Sequence, residues 1–194
     1  ESAAPCERLT AAYDFVGSAQ ARETRGYVQL YLKQGGALKL ETPEASGKAA
    51  SPAVVARVVW ASEGVEGARP GAFRIVAVHL PSGQGAAEAR RRCMQALLGS
   101  GDGSGEGVLL VGDVNAKDDE VDVLCKKFGL REARYHGYSW GARGNRFDAA
   151  LDYNGPGIRF DRVLFAGGVW AEAHLMGQRR LYEDGAGFCL SDHL

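Results

Sequence analysis

The sequence predicts an α/β fold built on a mixed β-sheet. Three observations carry this. Apolar runs of strand length alternate with amphipathic runs of helix length, some strand-like runs follow one another directly, and no repeat or compositional break divides the 194 residues. That length suits one domain with a sizeable core.

"RLTAAYDFV" (8–16) reads as a helix end running into a strand. "YVQLYLK" (27–33) alternates with period two, as a half-buried strand does. "ALKLET" (37–42) follows two glycines, so these two strands are expected to form a hairpin. "PEASGKAASP" (43–52) is small and polar and reads as a loop. "AVVARVVWAS" (53–62) is β-branched, and after the turn "EGVEGARPGA" the run "FRIVAVHL" (73–80) is apolar enough to be buried on both faces.

"AAEARRRCMQALL" (86–98) is rich in helix formers, with Ala89, Cys93, Ala96 and Leu97 expected on the buried face and the arginines outside. The connector "GSGDGSGEG" (99–107) leads to the buried strand "GVLLVGDVN". "DDEVDVLCKKFGL" (118–130) begins a helix with acids at its positive end and places Lys126 and Lys127 at its last turn. "YSW" (138–140) enters a polar loop, "IRFDRVLFAG" (158–167) and "VWAEAHLM" (169–176) read as strands, and "FCLSDHL" (188–194) ends the sequence.

The composition is 45% hydrophobic and 24% charged, with a formal net charge of -1, which argues against a generally basic nucleic-acid binder but leaves room for a local basic groove. No apolar run approaches the roughly 18 residues of a membrane span, so no membrane partner is expected. Cys6, Cys93, Cys125 and Cys189 form no CxxC pair, which disfavours a zinc site. Reduced, buried thiols suit an intracellular compartment: nucleus, cytoplasm or organelle.

Four apolar stretches carry polar residues near their ends: His79 in "VAVHL", Asp113 and Asn115 in "VGDVN", Asp161 in "RFDRV", and Asp192 with His193 in "CLSDH". A buried charge is costly unless paired, hydrogen-bonded or bound to a metal, so four such stretches suggest one shared site. Asp and Asn supply hard oxygens suited to Mg²⁺, with Mn²⁺ as the alternative. Alternate residues of a strand share a face, so Asp113 and Asn115 can serve one pocket. An imidazole beside a carboxylate can act as a base or a stabilising donor. This chemistry describes metal-assisted phosphoester hydrolysis.

Each residue also has a plainer reading. Asp113 with Asn115 can be a strand-ending turn with local Asx hydrogen bonds. His79 can be a satisfied core histidine, Asp161 a structural ion-pair partner, Trp140 a core aromatic, His193 a surface chain end, and Glu1 an ordinary terminus. The run of arginines at 90–92 reads as an exposed helix face, and His136 and His174 are given no role.

Together "VHL", "GDVN", "RFDRV" and "SDHL" resemble the endonuclease/exonuclease/phosphatase (DNase I-like) superfamily. Within it, "HLPSGQGAAEARRRCMQAL", "GDVNAKDDEV" and "YSWGARGN…IRFDRVLF" are most similar to the tyrosyl-DNA phosphodiesterase 2 family. The resemblance implies a four-layer sandwich of two mixed β-sheets flanked by helices, spanning 1–194 as one domain without its first strands and last strand. It also implies Mg²⁺-dependent hydrolysis of phosphoester bonds in nucleic acid, with 5′-phosphotyrosyl DNA ends as substrate, a DNA-repair activity.

Carried over by position, Asp113 would orient the attacking water, Asn115 would hold the phosphate, and His79 would donate to it. His193 would stabilise the oxyanion, Asp161 would support the histidines, and Asp192 and Glu1 would stand at the metal. Ser82 and Trp140 would line the nucleic-acid groove. The chain departs from the family pattern at Pro81, where the family has Glu, and at Ala116 and Lys117, where it has a DNA-reaching Arg. The family's first-strand Asn motif is absent from this chain. These departures support an alternative, a catalytically silent scaffold subunit of a larger (ribonucleoprotein) assembly. Abasic-site endonuclease, RNA deadenylase-like nuclease and phosphoinositide phosphatase are the alternatives within the enzyme class.

Overall fold

The structure is a computed structural model that describes residues 5, 7–20, 27–44, 52–60, 71–99, 106–139, 157–174, 181–183 and 186–188. A helical turn, α1 (Glu7–Thr10), leads into strands β1 (Tyr13–Gln20) and β2 (Tyr27–Lys33). Then follow β3 (Leu38–Glu44), β4 (Ala53–Trp60), β5 (Ala72–His79), α2 (Ala87–Leu98), β6 (Gly107–Asp113) and α3 (Asp118–Phe128). β7 (Arg131–Glu132), β8 (Asp161–Ala166), β9 (Leu181–Glu183) and β10 (Ala186–Phe188) complete the described elements.

The central sheet has the order β3-β4-β5-β6-β8-β7. It is mixed: β5 and β6 are parallel, and every other neighbouring pair is antiparallel. A parallel pair needs a crossover, which α2 supplies. β1 and β2 form a separate antiparallel pair.

Two apolar clusters lie on opposite faces of the central sheet. On one, Val76, Val78, Leu80, Leu110 and Leu164 pack with Met94 and Leu97 of α2 and Val121 and Leu124 of α3. On the other, Val54, Ala56, Val58, Ile75 and Ala77 pack with Leu30 and Leu32 of β2. Burial on both faces is why β4 and β5 read as continuous apolar runs. Side chains such as Val58 and Val76, with no exposed area, each contribute about 1.5–3 kcal/mol. Among the described residues, helices, central sheet and the β1–β2 sheet form three stacked layers of the expected four-layer DNase I-like sandwich.

Local expectations need correction. β2 pairs with β1, and β3 pairs with β4, so the predicted β2–β3 hairpin does not form. β2 instead covers the outer face of β4 and β5, where its leucines are buried. β3 continues through Pro43, expected in a loop; as the edge strand of its sheet, it tolerates a residue without an N–H. Residues 169–174 form no strand. In α2 the buried residues are Arg90, Cys93, Met94 and Leu97, whereas Ala89 and Ala96 are exposed. The arginine run is therefore not wholly an exposed face. Among the described residues no helix is long and apolar enough to cross a membrane.

Candidate active site

The register of the central sheet aligns three predicted residues. His79 at the end of β5 stands opposite Asp113 at the end of β6, and Asp113 stands opposite Asp161 at the start of β8. Residues paired in register share a face. By alternation from Ile75 and Ala77, that face is the one turned toward the β1–β2 layer.

Asp113 is held tightly. Its Oδ1 accepts the backbone N–H of Asn115 at 2.8 Å, and its Oδ2 accepts Asn115 Nδ2 at 2.9 Å. His79 Nε2 lies 3.4 Å from Asp113 Oδ2. The Asp113 side chain keeps 14% of its surface exposed and His79 keeps 35%, so both reach solvent at the ends of their strands. Asn115 Nδ2 also donates to Leu80 O at 2.9 Å, tying the ends of β5 and β6 together. Asn115 has φ 53°, a left-handed conformation that Asn tolerates better than most residues. The Asx hydrogen bonds of the plainer reading are thus present, and they are what orient the carboxylate.

Gly112, immediately before Asp113, is required by geometry. Its φ is 125°, and a Cβ there would lie 2.2 Å from Val78 O. Only glycine allows β6 to approach β5 this closely.

Two arginines that sequence reasoning passed over hold the loops beneath the site. Arg162, with no exposed side-chain area, binds Glu132 at 2.6 Å, Asp118 at 2.7 Å and the Ala116 carbonyl at 3.2 Å. Arg90 forms a two-pronged pair with Glu120 at 2.7 and 2.6 Å and donates to Pro81 O at 2.9 Å. The paired fork suits the planar guanidinium. Burial pushes the Asp118 carboxyl up, but the hydrogen bonds from Arg159 and Arg162 outweigh it and hold the group below its ordinary value. A basic residue inside the apolar run "DRVLFA" was the available signal for Arg162. The signal for Arg90 was helical spacing, since it stands three, four and seven residues before Cys93, Met94 and Leu97.

Ser139 and Tyr135 were also missed. Ser139 is fully buried and its Oγ accepts the N–H groups of Phe160 and Asp161, each at 3.0 Å. Tyr135 Oη donates to Asp161 O at 2.7 Å.

The other predicted residues do not join this group. Ser82 is exposed in the loop after β5. Glu1, Trp140, Asp192 and His193 lie outside the described residues. Among the described residues no three His, Cys, Asp or Glu side chains cluster to hold a metal. Asp113 and Asp161 offer hard oxygens of the kind Mg²⁺ prefers, but do not close a site by themselves. Cys93 is buried, and burial, with Glu132 and Asp122 nearby, pushes the Cys125 thiol up to about 11, so neither behaves as a nucleophile. A cleft of about 490 Å³, lined by residues 133–136 and 171–174, includes Tyr135 but not His79, Asp113 or Asn115.

Comparison with known proteins agrees with this fold. The Endonuclease/Exonuclease/phosphatase family matches residues 23–193. TDP2 from D. rerio, complexed with single strand DNA product, superposes with a TM-score of 0.68 at 18% identity, over 96% of this chain and 76% of that one. TDP2 from C. elegans gives 0.65 at 17% identity, over 96% and 57%. A mannosyl-6-phosphatase from Bacteroides thetaiotaomicron gives 0.62 at 14%, over 94% and 74%. At these identities the likeness shows the fold. No curated protein matches the sequence significantly.

Proposed function

The chain belongs to the Endonuclease/Exonuclease/phosphatase family, and we propose that it is a phosphodiesterase acting on nucleic acid, with 5′-phosphotyrosyl DNA ends as its substrate. Family membership supports a hydrolytic, phosphoesterase- or nuclease-type activity. The observation that carries the finer reading is the fixing of Asp113: two donors from Asn115 hold both carboxylate oxygens in place, with His79 beside them.

A carboxylate so fixed can accept a proton from a water while the water's own lone pair faces phosphorus, without reorganising first. His79, across from it, can donate an N–H to a phosphate oxygen. Asn115 serves as the clamp that orients Asp113, with both amide hydrogens engaged by Leu80 O and Asp113 Oδ2. Asp161 adds a second carboxylate one strand away. His193 is proposed to stabilise the charge developing on the phosphate, and Ser82 and Trp140 to contact nucleic acid. Mg²⁺ or Mn²⁺, held with the help of Glu1 and Asp192, would neutralise phosphate charge.

The test is turnover of a 5′-phosphotyrosyl oligonucleotide with Mg²⁺. Asp113→Asn is expected to lower kcat by about 10²–10³, the usual loss when a key polar group of this kind is removed. Equal turnover by wild type and Asp113→Asn overturns the assignment. One observation favours a second reading: Asp113 and Asn115 satisfy each other by hydrogen bonds with no substrate needed. A scaffold built this way would show no turnover even in the wild type. A wild type that instead hydrolyses abasic-site duplex, adenylate RNA or phosphoinositide faster redirects the substrate.

A further inference from the structure

Beyond the residues expected to face substrate, β8 begins in an unusual way. We propose that the hydroxyls of Ser139 and Tyr135 form a clamp that sets the position of Asp161 and, through it, the hydrolytic site; this rests on the proposed phosphodiesterase reading.

Ser139 lies 21 residues before Phe160, yet it has no exposed area. Its backbone N–H is fastened to Ile158 O at 3.1 Å. Its Oγ takes two consecutive backbone N–H groups, from Phe160 and Asp161, at 3.0 Å each. A hydroxyl oxygen has two lone pairs, and both are spent here. Tyr135 donates to Asp161 O at 2.7 Å. Between them the two hydroxyls take the N–H groups of Phe160 and Asp161 and supply a donor to the Asp161 carbonyl.

The Arg159 guanidinium sits 6.0 Å from the centre of the Tyr135 ring, at the limit of a cation–π contact. Phe160 O receives Val114 N at 2.9 Å, so the clamped segment also touches the loop between Asp113 and Asn115. Asp161 is the first residue of its strand, where a β-ladder frays most readily. The clamp holds both its N–H and its C=O, and thereby fixes the register that sets Asp161 opposite Asp113. Displacing a group in such a site by about 1 Å can cost 10²-fold in rate. Ser139 and Tyr135 are therefore positioning residues.

The experiment combines kinetics on the 5′-phosphotyrosyl oligonucleotide with amide hydrogen exchange at Phe160 and Asp161. Ser139→Ala and Tyr135→Phe are each expected to lower kcat by about tenfold to a hundredfold with KM nearly unchanged. In Ser139→Ala both amides should exchange faster, whereas strands β4 and β5 keep their protection. Ser139→Thr, which keeps the hydroxyl, should restore kcat and protection. The proposal is overturned by full turnover in Ser139→Ala, by loss of kcat without faster exchange at the two amides, or by failure of threonine to rescue. Asp113→Asn is measured alongside. If it matches the wild type, the phosphodiesterase reading fails, and the clamp's part in catalysis fails with it, while the exchange data still report the clamp itself.

Discussion

Replacing Arg162 with methionine tests how the loop beneath the site is held. The Arg162 guanidinium is wholly buried, and its partner Glu132 keeps only 7% of its side-chain surface exposed. Asp118, the other anion, is 55% exposed. Removing one member of a buried pair costs about 3–5 kcal/mol, because the remaining charge is left uncompensated. Here that penalty falls on Glu132, since exposed Asp118 contributes only about 0–1 kcal/mol. Arg134 also contacts Glu132, at 2.9 Å, and softens the penalty, placing the expected loss near the lower end, about 3 kcal/mol. Losing the bond to the Ala116 carbonyl adds about 1 kcal/mol. Arg162 Nε has no hydrogen-bond partner among the described residues, so methionine also relieves one desolvated donor. Urea unfolding followed by circular dichroism measures the outcome. With a slope of about 2 kcal/mol/M, the midpoint should fall by roughly 1.5–2 M. Adding Glu132→Met should recover much of the loss, since an apolar pair of similar volume is often neutral or better. A single-variant loss below about 1 kcal/mol, or two losses that simply add, would refute the reasoning.

Gly112→Ala should destabilise by about 1–3 kcal/mol through overpacking against Val78 O, seen as a Tm lower by about 2–4 °C per kcal/mol; an unchanged Tm contradicts the close approach. Asp118, held below its ordinary value by Arg159 and Arg162, takes up its proton at lower pH when folded than when unfolded. Its contribution is therefore present above about pH 4 and lost as pH falls through its folded value. The stability gap between wild type and Asp118→Asn should accordingly shrink in urea melts below about pH 4, and a gap that widens there reverses the assigned sign.

How much of this was legible in the chain varies residue by residue. Periodicity placed β4, β5, β6, α2 and α3, because burial on one or two faces imprints itself on local spacing. The polar ends "VHL" and "GDVN" marked His79, Asp113 and Asn115 because a carboxylate or imidazole breaking an apolar run demands a partner. "RFDRV" marked Asp161 for the same reason. Strand pairing was a different matter. Tyr27–Lys33 and Leu38–Glu44 looked like a hairpin, but β2 pairs with β1 because Leu30 and Leu32 bury against β4 and β5, residues distant in sequence. Among Arg90, Arg91 and Arg92, helical spacing sets Arg90 on the face of Cys93, Met94 and Leu97, but its partners Glu120 on α3 and the Pro81 carbonyl are brought to it only by the fold. Ser139, a small polar residue before a loop, carries no mark of its role, because the amides it serves belong to Phe160 and Asp161. The chain by itself therefore determined the elements and the polar ends, which depend on near neighbours. The tertiary structure alone decided which ends stand in register and which hydroxyls and guanidinium groups hold them, because those contacts join residues that only folding brings within hydrogen-bond reach.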